Sequence, residues 1–142
     1  ALSVIALNEA GEERAYFSNY GGSQNKVSAP GDPIYSTVPK NEYLPYSGTS
    51  MASPVVAGIA GMVLSVRPEL TVEDVKNIIY NSTDDINELG YDEETGYGRV
   101  NAYKAVKNAL EYNAYNTPTS LELSSSRIEL AKGSKTKISG KV

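Results

Sequence analysis

The segment from Ser50 to Val66 constrains the fold of this chain more than any other. Val55, Ile59, Met62, Val63 and Val66 recur at the three-and-four spacing of an α-helix. Ala52, Ala57, Gly58, Ala60 and Gly61 make that helix unusually lean. A helix of small residues is held mainly by what packs on it, so close neighbours on several sides are expected. Arg67-Pro68 ends it, because the residue before a proline avoids the helical region. Strand candidates precede it at 2–7, at Val27-Ser28-Ala29 and at 34–38, the last bounded by Pro33 and Pro39. Two more helices follow. One starts at Thr71, with Asp74 completing a capping box and Leu70 and Val75 at the staple positions; its apolar face is Val72, Val75, Ile78 and Ile79. The other follows Asn101 and turns Ala102, Ala105, Val106, Ala109 and Leu110 inward. Strands followed by helices predict an α/β fold.

What the chain lacks narrows its chemistry. Its 142 residues include no Cys and no His. Disulfides, thiol nucleophiles and His-ligated zinc are excluded, and so is a Ser/His/Asp triad made from this chain alone. The net charge of −4 disfavours a nucleic-acid partner. No run of apolar residues reaches the ~20 needed to cross a membrane, so no membrane span is expected.

Charge divides the chain. Residues 1–116 carry 8 Lys and Arg against 15 Asp and Glu, whereas residues 117–142 carry 5 against 2. The seam falls at the turn-forming Asn116-Thr117-Pro118-Thr119, which predicts a domain boundary. Beyond it, Leu121-Glu122-Leu123 and Ile128-Glu129-Leu130 alternate as strands do. Residues 117–142 are expected to be a linker and the start of a β-rich accessory domain.

The residues most suggestive of chemistry are Tyr46-Ser47-Gly48-Thr49-Ser50-Met51-Ala52-Ser53-Pro54. Here a serine enters the first turn of the lean helix. Free N–H groups and the positive end of the helix dipole favour negative charge at that place. Pro54 deprives the Ser50 carbonyl of its helical donor. By these residues alone, Ser50 reads either as a helix-start serine or as a nucleophile.

The run Gly48-Thr49-Ser50-Met51-Ala52-Ser53-Pro54, followed by Val56-Ala57-Gly58, resembles the nucleophile signature of subtilases, the subtilisin-like serine proteases. Ser3-Val4-Ile5-Ala6-Leu7, Arg14-Ala15-Tyr16-Phe17-Ser18, Ser28-Ala29-Pro30-Gly31 and Ile34 to Pro39 resemble the approach to it. Gly96-Tyr97-Gly98-Arg99-Val100-Asn101 resembles the entry to the final catalytic-domain helix. The resemblance implies that residues 1–116 are the C-terminal part of a subtilase catalytic domain, a parallel sheet with flanking helices. It implies peptide-bond hydrolysis through an acyl-enzyme, on polypeptide substrates, with Ser50 as nucleophile and as an oxyanion donor through its N–H. Thr49 would support the oxyanion, Gly48 would lie by the substrate backbone, and Tyr46 and Phe17 would line the leaving-group side. Met51 matches an oxidation-sensitive position. Val55 stands where the family usually has His, and Ser47 where Asn is common.

In that family the catalytic Asp and His and the oxyanion Asn lie on segments before anything resembling Ala1. The resemblance therefore implies a chain that is inactive alone and active with the missing N-terminal part of the catalytic domain. It implies secretion or surface attachment. Self-association through an exposed sheet edge is a further expectation. The alternative is a pseudoprotease or cell-surface binding module that keeps the fold. The tail weakly resembles a bacterial immunoglobulin-like repeat. The residues present point to no certain cofactor; the resemblance admits calcium in a full-length protein. Asp84-Asp85 and Asp92-Glu93-Glu94 lack the EF-hand spacing and read as solvated loops. Two S-x-x-K runs, at Ser23 and Ser134, lack a companion motif. Asn81-Ser82-Thr83 is a glycosylation sequon.

Overall fold

The computed structural model describes residues 1–22 and 25–112. The expected tail domain, the seam at 116–119 and Ser134 lie outside the described residues, as does Ser23. The elements run β1 (Ser3–Leu7), β2 (Asn25–Pro30), β3 (Ile34–Val38), β4 (Glu42–Tyr46), α1 (Thr49–Val66), α2 (Val72–Tyr80) and α3 (Ala102–Glu111). The fold is α/β, as the order of strands and helices predicts.

β1 and β2 pair in parallel, with Ile5 beside Ser28 and Ala6 beside Ala29. Side chains alternate across such a sheet, yet Ile5, Ala6 and Leu7 are all fully buried. That is the signature of a strand covered on both faces, and it explains the unbroken apolar run of β1. The segment 97–100 extends the sheet on the far side of β2. Tyr97 N–H donates to Lys26 C=O, Ser28 N–H to Gly98 C=O and Val100 N–H to Ser28 C=O, each at 2.9 Å. Asp84 then bridges Arg99 in the antiparallel sense. The backbone comes so close here that a Cβ on Gly98, whose φ is +108°, would sit 2.2 Å from the Asp84 carbonyl oxygen.

α1 lies on one face of this sheet and contacts β1, β2, α2 and α3. Its buried residues are Ala52, Val56, Ile59 and Val63. This corrects the predicted face: Val55 is only partly buried, and Met62 and Val66 are exposed. At Ala52 the approach is close: its Cβ lies 3.3 Å from where a Cβ on Gly31 would stand. α1 has 18 residues and by length and composition alone is long and apolar enough to cross a membrane. Its neighbours here are the sheet and the other two helices.

α2 begins as predicted. Thr71 accepts from the Asp74 N–H and the Asp74 carboxylate accepts from the Thr71 N–H. Leu70, Val75, Ile78 and Ile79 join the core, but Val72 is 80% exposed. It follows the cap on the outer side of the first turn. α3 is capped by Asn101, whose side chain accepts from the Lys104 N–H. Ala105 and Ala109 are buried, whereas Leu110 is 61% exposed. Arg67, just past α1, donates to the carbonyls of Ala109 and Tyr112 at 3.1 and 2.9 Å, so one guanidinium closes the end of α3.

β3 and β4 form a second sheet, an antiparallel hairpin. No strand was expected at 42–46, where Pro45 argues against one. Pro45 is tolerated because a two-stranded ribbon consists only of edges. Lys40 and Asn41, both at positive φ, make the reversal.

Candidate active site

The Ser50 turn is fastened to the sheet by a short relay of backbone bonds. The Gly31 N–H donates to Leu7 C=O at 3.1 Å, and the Gly48 N–H donates to Gly31 C=O at 2.8 Å. The carboxyl ends of β1 and β2 therefore fix where α1 starts. Open α/β sheets bind ligands at that end of their strands. Gly31 is required for the fit: a Cβ there would meet Ala6 Cβ at 2.7 Å, Gly48 C=O at 3.0 Å and Ala52 Cβ at 3.3 Å. The sequence singles out Gly31 only within Ser28-Ala29-Pro30-Gly31; its contacts come from residues up to 25 positions away in sequence.

Gly48 is the N-cap of α1 and offers no side chain to it. Its carbonyl accepts from Met51 and Ala52 N–H groups at 2.9 and 3.2 Å. Thr49 and Ser50 are the first two helical residues and both are exposed. Their N–H groups belong to the four that a helix cannot satisfy internally. The first turn contains no acidic residue, so nothing on α1 offsets the positive end of its dipole. The arrangement presents a hydroxyl and unspent backbone donors to the same solvent-facing spot. It can hold developing negative charge beside a serine oxygen.

Tyr46 ends β4, two residues before Gly48, and is 51% exposed. Tyr46, Gly48, Thr49 and Ser50 thus occur together by chain continuity. Phe17 sits in the β1–β2 connection, packed against the core and edge-on to Tyr16 at 5.2 Å. No hydrogen bond or ring contact joins Phe17 to the Ser50 turn among the described residues. Met51 packs its sulfur over Gly48. Val55 lines a groove with Pro54, Met62 and Val100, as a packing residue would. Ser50 lines neither that groove nor a second one. The other, about 420 Å³, lies between β1, α1 and α2 and is lined by Leu2, Val4, Val56, Leu64 and Ile79 among others.

The acidic runs are engaged by the chain's own donors. Asp84 takes Lys104 Nζ at 2.7 Å, Asn101 Nδ2 at 3.1 Å and Arg99 at 3.5 Å; the lysine above all holds its carboxyl below the usual range. Asp92 is buried, which pushes its pKa up. The Thr95 hydroxyl and N–H, the Glu94 N–H and the Asn87 amide outweigh that and hold it low. Among the described residues no cluster of three or more His, Cys, Asp or Glu is arranged to hold a metal ion. The sequon residue Asn81 caps α2, and the Thr83 hydroxyl donates to Tyr80 and Tyr97 carbonyls. Lys26, the lysine of the first S-x-x-K run, lies over the Tyr91 and Tyr97 rings.

Residues 1–98 match the model of the subtilase family. The chain belongs to the subtilase family. It is similar to the halolysin-like extracellular serine protease Nep of Natrialba magadii, with 42% identity over 74% of this chain and 19% of that protein. It is similar to thermitase of Thermoactinomyces vulgaris, 42% identical over 73% of this chain and 36% of the relative. Subtilisin DY of Bacillus licheniformis is 38% identical over 74% of this chain and 38% of its own length. The subtilase chain thus spans between about a fifth and two fifths of these relatives.

Proposed function

We propose that this subtilase chain supplies the nucleophile to a secreted serine endopeptidase. Ser50 Oγ attacks the scissile carbonyl, and the oxyanion so formed accepts from the Ser50 N–H, with the Thr49 hydroxyl in support. Gly48 leaves room for the substrate backbone, and Tyr46 and Phe17 flank the leaving peptide. The amine departs, and water then cleaves the acyl-enzyme and frees Ser50. The single observation that carries this reading is the exposed Ser50 at the unneutralised start of α1, inside the stretch that matches the family.

The chain holds no imidazole, so the base that takes the Ser50 proton is supplied by another segment. We assign the catalytic Asp and His and the oxyanion Asn to the N-terminal part of the catalytic domain. The apolar groove between β1, α1 and α2 is where that part packs. The chain alone is then inactive. The family resemblance alone admits calcium in the full-length protein, and no role is assigned to it in the reaction. The extracellular naming of the Natrialba relative supports secretion.

A fluorophosphonate probe tests this directly. The protein containing all three groups should label at Ser50 and lose both label and peptide turnover in Ser50→Ala. The 142-residue chain alone should label no faster than a free serine. Absence of labelling in the whole protein would instead favour a binding module that keeps the fold.

A further inference from the structure

The hairpin that leads into Ser50 carries an ordered strip of side chains. The pairing sets Ile34 opposite Tyr46, Ser36 opposite Leu44 and Val38 opposite Glu42. Residues two apart on a strand share a face, so Tyr46, Leu44 and Glu42 stand in a row on one side of β4. Every residue of β4 is exposed; Leu44 retains 42% of its surface. Tyr35 and Tyr43 lie on the opposite face. They stack across the strands with rings 8° from parallel, which stiffens the ribbon without touching the strip. Among the described residues Glu42 forms no salt bridge.

We propose that Tyr46, Leu44 and Glu42 form a docking strip for an extended polypeptide held at Ser50, and that Leu44 and Glu42 set its sequence preference. The inference rests on the reading of Ser50 as a peptidase nucleophile and extends it beyond Tyr46. Three features of the hairpin select this occupant. β4 ends at Tyr46, and only Ser47 separates it from Gly48, the N-cap of the helix that carries Ser50, so the strip begins next to that turn along the chain. The strip repeats every ~6.8 Å, the spacing of alternate side chains in an extended peptide. Its order, moving away from Ser50, is aromatic, aliphatic, anionic. The peptide that complements it has two apolar residues at alternate positions, then a Lys or Arg two further on.

Binding tests the strip separately from catalysis. The full protein bearing Ser50→Ala is titrated into a fluorescein-labelled peptide containing Leu-Ser-Leu-Ser-Lys, with fluorescence anisotropy as readout. Leu44→Asn should weaken binding about tenfold, in line with loss of an apolar contact. Glu42→Lys should weaken it about two- to fivefold, as exposed charge pairs do. A peptide ending in Glu instead of Lys should regain affinity for Glu42→Lys, a rescue that misfolding cannot produce. Equal binding to all variants, or no binding of either peptide, overturns the strip. Peptide preference without turnover by the unsubstituted protein would leave the strip standing and sink the proposed reaction.

Discussion

Single atoms decide how the Ser50 turn is placed. Gly31 has no room for a methyl group, because Ala6, Gly48 and Ala52 already surround it. Gly31→Ala should therefore shift the start of α1 and cost about 1–3 kcal/mol of stability, the usual range for overpacking. Urea unfolding measures the loss, and in the whole protein the rate of probe labelling at Ser50 should fall with it. Gly98→Ala is the harsher change, since the obstacle is backbone and φ is positive. It should prevent the 97–100 segment from pairing with β2, seen as loss of amide protection at Ser28 and Val100. Asp92 is a residue-scale switch of a different kind. Its carboxylate serves four donors in the 87–95 turn and its pKa is held below the ordinary value. A depressed carboxylate contributes stability above its unfolded pKa of about 3.9 and loses it as pH falls through the lower folded value. Thermal unfolding followed from pH 6 to pH 2 should show this loss in the parent chain. Asp92→Asn should lower stability at pH 6 and flatten the acid decline.

At the scale of elements, the helices differ in what holds them. α2 is short, and its capping box satisfies two end groups that nine residues could not otherwise manage. Asp74 also accepts from the Tyr112 hydroxyl at 2.9 Å, so the cap ties α2 to the end of α3. Thr71→Val should cost about 1 kcal/mol. Asp74→Ala should cost more, because it frees the Thr71 N–H and the Tyr112 hydroxyl together. Denaturant midpoints of the two variants order them. α1 has neither a side-chain cap nor an acidic first turn. It lacks that stabilisation at the Ser50 turn and packs instead on β1, β2, α2 and α3.

For the molecule as a whole, the apolar groove between β1, α1 and α2 exists only because three elements assemble around it. The outer edge of β1 is partly closed already: Ala15 N–H donates to Ala6 C=O, and the Ser18 hydroxyl accepts from Ala6 N–H. The groove, more than the edge, is therefore the surface expected to drive association of the isolated chain. Size-exclusion chromatography should show species larger than a monomer, and Leu64→Glu, a charge at the groove wall, should shift them toward monomer. A compact monomer for both would assign association no role.

Local rules carried much of this protein into its sequence. The capping box of α2, the Asn101 cap, the buried run of β1 and the Gly48–Pro54 turn are all contiguous patterns governed by hydrogen bonds a few residues long. The family is legible for the same reason, since its signature is one unbroken stretch. The tertiary structure decided what depends on distant partners. It rotated the buried face of α1 from Val55 and Met62 to Ala52 and Val56, which lie with Ile59 and Val63 on the side that β1, β2, α2 and α3 cover. It left Val72 and Leu110 in solvent although both are apolar and on periodic positions. It added β4 despite Pro45, since an antiparallel ribbon leaves an edge where no N–H is needed. It also joined Leu7, Gly31 and Gly48 into the relay that fixes Ser50. Periodicity reports which face of a segment is apolar; only the approach of other segments determines which of those side chains the fold has room to bury.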